Sequence, residues 1–262
     1  QTFLAKRLIF HVPTRDQETT RTTKLSPFPK PIMAAITSTS LVQEDEQLNN
    51  ETFKALHAKY AVLASDEQIA ATKAGLESKG HAATVVANGA EALALIQSLI
   101  PNGSSVYNTG STSLGQIGFV ELLKEKKEWD NLHGKAFVES GGDFGKMLTL
   151  LRKANAADYV VTTVDGIAET GEFIVADGSS TRIAAYGAAG NLVVLAGANK
   201  LVKTIDAARE RLHSYVLPLE SARMRKAMGK PGSLISNELV VNTNSLSAGR
   251  IHFVIVKEHL GF

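Results

Sequence analysis

The chain of 262 residues has no cysteine, one tryptophan and only 6% aromatic residues. Without thiols there is no disulfide framework, no thiolate zinc site and no cysteine-held iron–sulfur cluster. No apolar run approaches the roughly 18 residues needed to cross a bilayer, which points to a soluble protein, expected in the cytoplasm unless residues 1–32 are a transit peptide. Aromatics are sparse and none are interleaved along a basic stripe, which argues against nucleic-acid binding. The histidines at 11, 57, 81, 133, 213, 252 and 259 form no HExxH pattern or close pair, so no metal site is expected from them. A Gly-x-Ser-x-Gly nucleophile elbow is also missing.

Hydrophobic residues make up 44% of the chain, enough for a substantial core at this length. The formal charge of +2 is unevenly spread. Residues 1–32 carry six basic groups (Lys6, Arg7, Arg15, Arg21, Lys24, Lys30) against Asp16 and Glu18, or +4; the rest has 22 basic and 24 acidic groups, or −2. Four of the seven prolines also fall in the leader, together with a run of threonines. Residues 1–40 therefore read as a leader outside the folded domain, and 41–262 as the domain. A basic, acid-poor leader suits mitochondrial targeting, with Phe3 to Phe10 as an amphipathic turn or two. Met33-Ala34-Ala35, by contrast, looks like a translation start, which would make the residues before it an upstream extension.

Along the body, apolar positions at helical spacing predict a helix over 46–63 and another over 66–79. Ala83–Ala87 then reads as a strand, and Asn88 as the cap of a helix that ends before Pro101. Further strands are expected at Ser105–Tyr107, Ala136–Val138, Tyr159–Val161, Phe173–Ala176, Leu192–Ala196 and Ile251–Val256, with helices at Ser113–Lys127 and Gly145–Asn155. Short runs that are apolar on both faces belong to central strands covered by helices. The fold class is α/β, a mainly parallel or mixed sheet flanked by helices in a single domain.

Three glycine-bearing loops follow strands, where open α/β sheets bind ligands. Gly110-Ser111-Thr112-Ser113 offers backbone N–H groups and hydroxyls to a phosphate or carboxylate, although one of its hydroxyls would serve equally as a plain helix cap. Asp165 and Glu169, four residues apart with Thr170 and Gly171, supply carboxylates for acid–base or nucleophilic work, or simply line a hairpin turn. Asn199 and Lys200 close the third loop, where a lysine suits an anion.

These stretches resemble the LUD-domain (lactate utilisation protein) family in its compact single-domain form. Asn108-Thr-Gly-Ser-Thr-Ser-Leu-Gly-Gln-Ile-Gly-Phe119 is similar to the family's Gly-Gly-Ser-x-Thr-Leu-x-Glu-x-Gly-Leu stretch, and Ile167-Ala-Glu-Thr-Gly171 to its Ala-Ile-Ala-Glu-Thr-Gly segment. Asp177-Gly178 with Arg182, Gly197-Ala-Asn-Lys-Leu201, Pro218-Leu219 with Arg223, and Val256-Lys-Glu-His-Leu-Gly-Phe262 follow in order, so the match covers roughly residues 46–262. The resemblance implies a NagB/RpiA/CoA-transferase-like, Rossmann-related fold whose relatives bind sugar phosphates, CoA esters or nucleotides.

It implies a small anionic metabolite as ligand, with CoA or a nucleotide among the candidates, bound by Gly110–Ser113, Asp165, Thr170, Gly171, Arg182, Asn199 and Lys200. Glu169 would be the catalytic carboxylate, by analogy with the glutamate of CoA transferases. The other reading it carries is a non-catalytic subunit of a lactate-oxidising or related redox complex, and the chain is expected to form a homodimer or to join such subunits. A relic that binds nothing is the third. Members of this size often hold a cysteine cluster after the Pro-Leu-x-x-x-Arg segment. Residues Gly229–Ser247 contain none, so no cluster is available there. Gln116 in place of Glu, and Ser180 and Thr181 in place of Gly and Asn, also depart from the family pattern.

Overall fold

The longest apolar runs lie side by side at the centre of a parallel sheet. The computed structural model describes residues 36–262. The sheet comprises β1 (Ala82–Val86), β2 (Ser105–Asn108), β3 (Asp130–Asn131), β4 (Tyr159–Thr163), β7 (Asn191–Gly197) and β10 (Ile251–Val256), in the order β1-β10-β7-β4-β2-β3. Every neighbouring pair is parallel. In β7, Leu192, Val194 and Ala196 enter one core and Val193 and Leu195 the other. Ile251, Phe253 and Ile255 of β10 likewise face away from Val254 and Val256. Both faces are thus dry, as an all-parallel sheet requires, and each fully buried large apolar side chain contributes about 1.5–3 kcal/mol.

A second, mixed sheet has the order β8-β5-β6-β9, formed by β5 (Gly166–Ala168), β6 (Phe173–Asp177), β8 (Leu201–Val202) and β9 (Asn237–Val241). Phe173 and Val175 of β6 pack into the core shared with the first sheet, whereas Ile174 and Ala176 face a helical layer. That layer is built by α1 (Ser38–Glu44), α2 (Glu51–Tyr60), α10 (Ile205–Arg211) and α11 (Leu217–Met228), with a π-turn at Leu212–Val216 joining the last two. The far face of the main sheet is covered by α4 (Gly89–Leu99), α5 (Thr112–Gln116) and α6 (Phe119–Glu125). Around the shared core lie α3 (Asp66–Ser78), α7 (Leu132–Ser140), α8 (Phe144–Lys153) and α9 (Ala185–Ala188).

Capping explains the boundaries. Asn88 accepts from Glu91 N–H at 3.0 Å while Glu91 accepts from Ala87 N–H at 2.9 Å, a reciprocal cap that starts α4. Asp143 caps α8, and Arg152 and Lys153 sit in its last turn, where cations complement the helix dipole. The α/β class with a mainly parallel sheet flanked by helices is as expected, but four local expectations are corrected. Residues 136–138 are helical, because Asn131 caps Gly134 N–H at 2.8 Å and left-handed Gly141 ends the helix; Val138 is left exposed. The helix expected over 113–127 breaks at Gly118, whose φ of +79° a side chain would resist. The helix expected over 46–63 begins only at Glu51, capped by Asn50. Finally, Ile36 and Ser38 are buried and Thr37 caps α1, so residues 36–40 belong to the folded body. The rest of the leader, including the targeting and Met33 readings, lies outside the described residues.

Candidate functional site

Two neighbouring strands of the main sheet run straight on into the second. β4 reaches β5 through Val164-Asp165, and β7 reaches β8 through Ala198-Asn199-Lys200. Because β4 and β7 pair (Thr163 opposite Leu195) and β5 and β8 pair (Ile167 opposite Leu201), the two crossovers run abreast. Where strands change sheets their backbone groups leave the ladder, and buried ones need other partners. Lys200 Nζ donates to Val164 C=O at 3.1 Å, and Arg211 donates to Asp165 C=O at 2.7 Å. The crossovers therefore call for long cationic side chains at the carboxyl edge of the parallel strands.

Lys200 is 2% exposed and Arg211 0%. The ammonium also lies 2.9 Å from Thr163 Oγ1 and 3.3 Å from Ser113 Oγ. Burial lowers its pKa to about 7; Asp165 opposes that shift, and the charges of Arg211 and Arg182 reinforce it. Asp165 accepts from Ala176 N–H at 2.7 Å and from Arg182 at 2.9 Å, and Arg182 also donates to Ala176 C=O. Arg182 is aimed by Asp177, whose carboxylate takes the N–H groups of Ser180, Arg182 and Ile183 at 2.9–3.0 Å. Burial pushes the Asp177 pKa up, but these bonds outweigh it and hold the group below its usual value.

Lys200, Asp165, Asp177 and Arg182 line a cavity of about 300 Å³ at the carboxyl edge of the main sheet. Of the residues singled out in the sequence, Gly110, Ser111, Thr112, Ser113, Asp165, Arg182 and Lys200 line it together. Ser111 also caps α5, at 3.4 Å from Leu114 N–H, so the loop is both a cap and a wall. The others stand elsewhere. Asn199 is buried behind the wall, where Oδ1 accepts from Leu260 N–H at 3.1 Å and holds the chain's last residues in place.

Glu169, Thr170 and Gly171 form the tight turn between β5 and β6, closed by Gly171 N–H to Ala168 C=O at 2.9 Å, and are not among the cavity-lining residues. Glu169 pairs with Lys203 at 2.7 Å, and Thr170 donates to Glu172. The turn is pressed onto α3. A Cβ on Gly75 would come within 2.2 Å of Glu169 O, and one on Gly171 (φ +94°) within 2.3 Å of Gly75 O. The Glu-Thr-Gly turn is thus packed against α3, and its carboxylate pairs with Lys203, which does not line the cavity.

Among the lining residues not singled out in the sequence, three contributions bear on the site. Thr163, at the end of an apolar strand, touches Lys200; its signal was the polar Thr162-Thr163 pair inside a run otherwise apolar on both faces. Glu220 forms an ion pair with Arg223 at 2.6 Å on the cavity wall. Leu212 and Val216 come from the π-turn, an irregularity often found at functional sites and invisible to periodicity.

A search among curated proteins finds no match. A crystal structure of a DUF162 family protein from Deinococcus radiodurans resembles the chain with a TM-score of 0.44 at 15% identity, over 74% of this chain and 99% of that one. Residues 69–256 match the LUD domain, a span that takes in the Gly110–Ser113 loop, both crossovers, Arg182 and the central strands, and the chain belongs to the LUD-domain family.

Proposed function

We propose that the chain binds a small anionic metabolite in this cavity. The observation that carries the reading is the convergence of Lys200 and Arg182 with the hydroxyls of Ser111, Thr112 and Ser113 on one concave space. Arg182 is already balanced by Asp165 and Arg223 by Glu220, whereas among the described residues no carboxylate lies within ion-pair distance of Lys200. A ligand's carboxylate or phosphate would meet the Arg182 guanidinium and the loop hydroxyls there, with no carboxylate of the chain competing for the neighbouring Lys200 Nζ.

Size narrows the candidates. A volume of about 300 Å³ is at the lower end for small-molecule sites, which favours a sugar phosphate or a short acid. A CoA ester or a nucleotide would enter with its anionic end and leave the remainder outside. Chemistry in the cavity would fall to Lys200 and Asp165, since Glu169 lies away from it.

The test is a thermal-shift screen of the chain against inorganic phosphate, sugar phosphates, short 2-hydroxy and 2-oxo acids, nucleotides and CoA. A ligand at 100 times its Kd stabilises by about 2.7 kcal/mol, which raises Tm by about 5–10 °C for a domain of this size. No shift with any anion, or an equal shift in Lys200→Met, overturns the reading.

A further inference from the structure

The surroundings of Lys200 suit a neutral amine. An ammonium buried to this degree ordinarily keeps a carboxylate beside it. Here the three partners of Nζ are Thr163 Oγ1, Ser113 Oγ and Val164 C=O, all uncharged. The nearest acid at the crossover, Asp165, is committed to Arg182 and to Ala176 N–H. A neutral amine has two N–H donors and one lone pair. The carbonyl can only accept, but either hydroxyl can turn to accept or to donate, so the set satisfies the deprotonated form completely.

Resting on the anion-binding reading of this cavity, we propose that Lys200 is a nucleophile that forms an imine with a small carbonyl compound carrying a carboxylate or phosphate. The neutral Nζ attacks the carbonyl carbon; the C–N bond forms as the C=O π pair moves to oxygen, which takes a proton. The hydroxyl of the resulting carbinolamine takes a second proton and leaves as water, Nζ gives up its protons, and the C=N bond closes. The balance is amine plus carbonyl giving imine plus water, with no oxidant or reductant. Ser113 and Thr163, both within hydrogen-bond reach of Nζ, relay the protons, and Arg182 holds the anionic end. Burial lowers the pKa to about 7, with Asp165 opposing and the charges of Arg211 and Arg182 adding to it, so the uncharged amine is far more populated at neutral pH than in a solvated lysine, where it is about one in a few thousand.

The experiment is reductive trapping. The full chain is incubated at neutral pH with pyruvate, glyoxylate or glyceraldehyde 3-phosphate, with uncharged butanal as control, in the presence of cyanoborohydride, then digested and mapped by mass spectrometry. The expected result is a Lys200 peptide heavier by the carbonyl compound less one oxygen, labelled ahead of exposed lysines such as Lys203. Inorganic phosphate should suppress it, butanal should give much less of it, and Ser113→Ala, which keeps the amine, should slow it. Whether a carboxylate or a phosphate is preferred is read from which of the three anionic probes labels best. Lys200→Met removes the site; if that variant fails to fold, peptide mapping of the unmodified chain still decides. Lys200 unlabelled while Lys203 and other exposed lysines react overturns the imine. If the same compounds nevertheless raise Tm, the binding reading survives alone; no shift and no label overturns both.

Discussion

The short strand β5 has a carboxylate at each end, and the two ends lie in different worlds. Asp165, before the strand, is 6% exposed, bonded to Arg182 and to a backbone N–H, and lines the cavity between the sheets. Glu169, after it, pairs with the exposed Lys203 on a turn pressed against α3. Four residues apart in sequence, they look interchangeable as candidate acids. Strand direction separates them, since an extended chain advances about 3.3 Å per residue and carries the second well away from the sheet edge where the first sits. A carboxylate's chemistry is set by which end of a strand it occupies and by the charges that surround it there.

The largest effect expected from this contrast follows removal of the buried acid. Asp165→Ala strips Arg182 of its counter-ion and Ala176 N–H of its acceptor while Lys200 and Arg211 stay buried nearby, and breaking such a pair costs about 3–5 kcal/mol. Urea denaturation of the variant measures it directly. Asp165→Ala combined with Arg182→Met should recover part of the loss, because Arg182 is then no longer buried without its counter-ion. If Asp165→Ala costs no more than an exposed pair does, the two ends of β5 are equivalent after all.

The packed side of β5 differs from the cavity side in its response to pH. His81 is 3% exposed, its ring lies edge-on to Phe173 and Phe253, and among the described residues neither ring nitrogen has a hydrogen-bond partner. Burial, helped by the charge of Arg250, lowers its pKa to about 4. An unfolded chain binds that proton near pH 6.5, so between about 6.5 and 4 the unfolded state holds more protons and stability falls as the pH falls. The loss approaches about 3 kcal/mol at the low end. Lys200 acts in a higher window: its folded pKa near 7 lies below the unfolded value near 10.5, so its contribution rises with pH from about 7 to 10. The pH dependence of Tm should flatten mainly on its acid side in His81→Leu and mainly on its alkaline side in Lys200→Met, where the charge that adds to the burial-lowered pKa of half-buried His259 is also lost. An acid limb unchanged in His81→Leu, or an alkaline limb unchanged in Lys200→Met, overturns the corresponding assignment.

The parts of this molecule that obey a period were legible in the sequence. Tyr159–Val161, Leu192–Ala196 and Ile251–Val256 are apolar on both faces, and that alone announces central strands of a covered parallel sheet. Asn88 and the Ala/Leu-rich stretch after it announce a capped helix. The same logic failed at Ala136–Val138, where a three-residue apolar run looks like a strand but caps at Asn131 and Gly141 decide for helix. The site was half legible. Loops following strands pointed to Gly110–Ser113, Asp165 and Lys200, because the carboxyl edge of a parallel sheet gathers them. No sequence signal says that β4 and β7 both leave the main sheet to pair again in a second one, and that event buries Lys200 and recruits Arg211. The turn at Glu169 drew attention for its glycine and acid, yet the glycine is needed for contact with Gly75, a requirement created by tertiary packing alone.

The smallest expected effect lies at that turn. Glu169 keeps its carboxylate within 2.7 Å of Lys203, a partner whose side chain is 75% exposed, and such pairs are worth about 0–1 kcal/mol. Glu169→Gln preserves size, and the neighbouring ion pair of Glu172 with Lys79 at 2.7 Å still ties the turn to the end of α3. The variant should therefore melt within a few degrees of the unmodified chain. It should keep the full thermal shift with whichever anion stabilises the cavity, and it should leave trapping at Lys200 unchanged. Loss of either response in Glu169→Gln, with the fold intact by circular dichroism, would join the two ends of β5 into one functional unit and move the chemistry back to the turn.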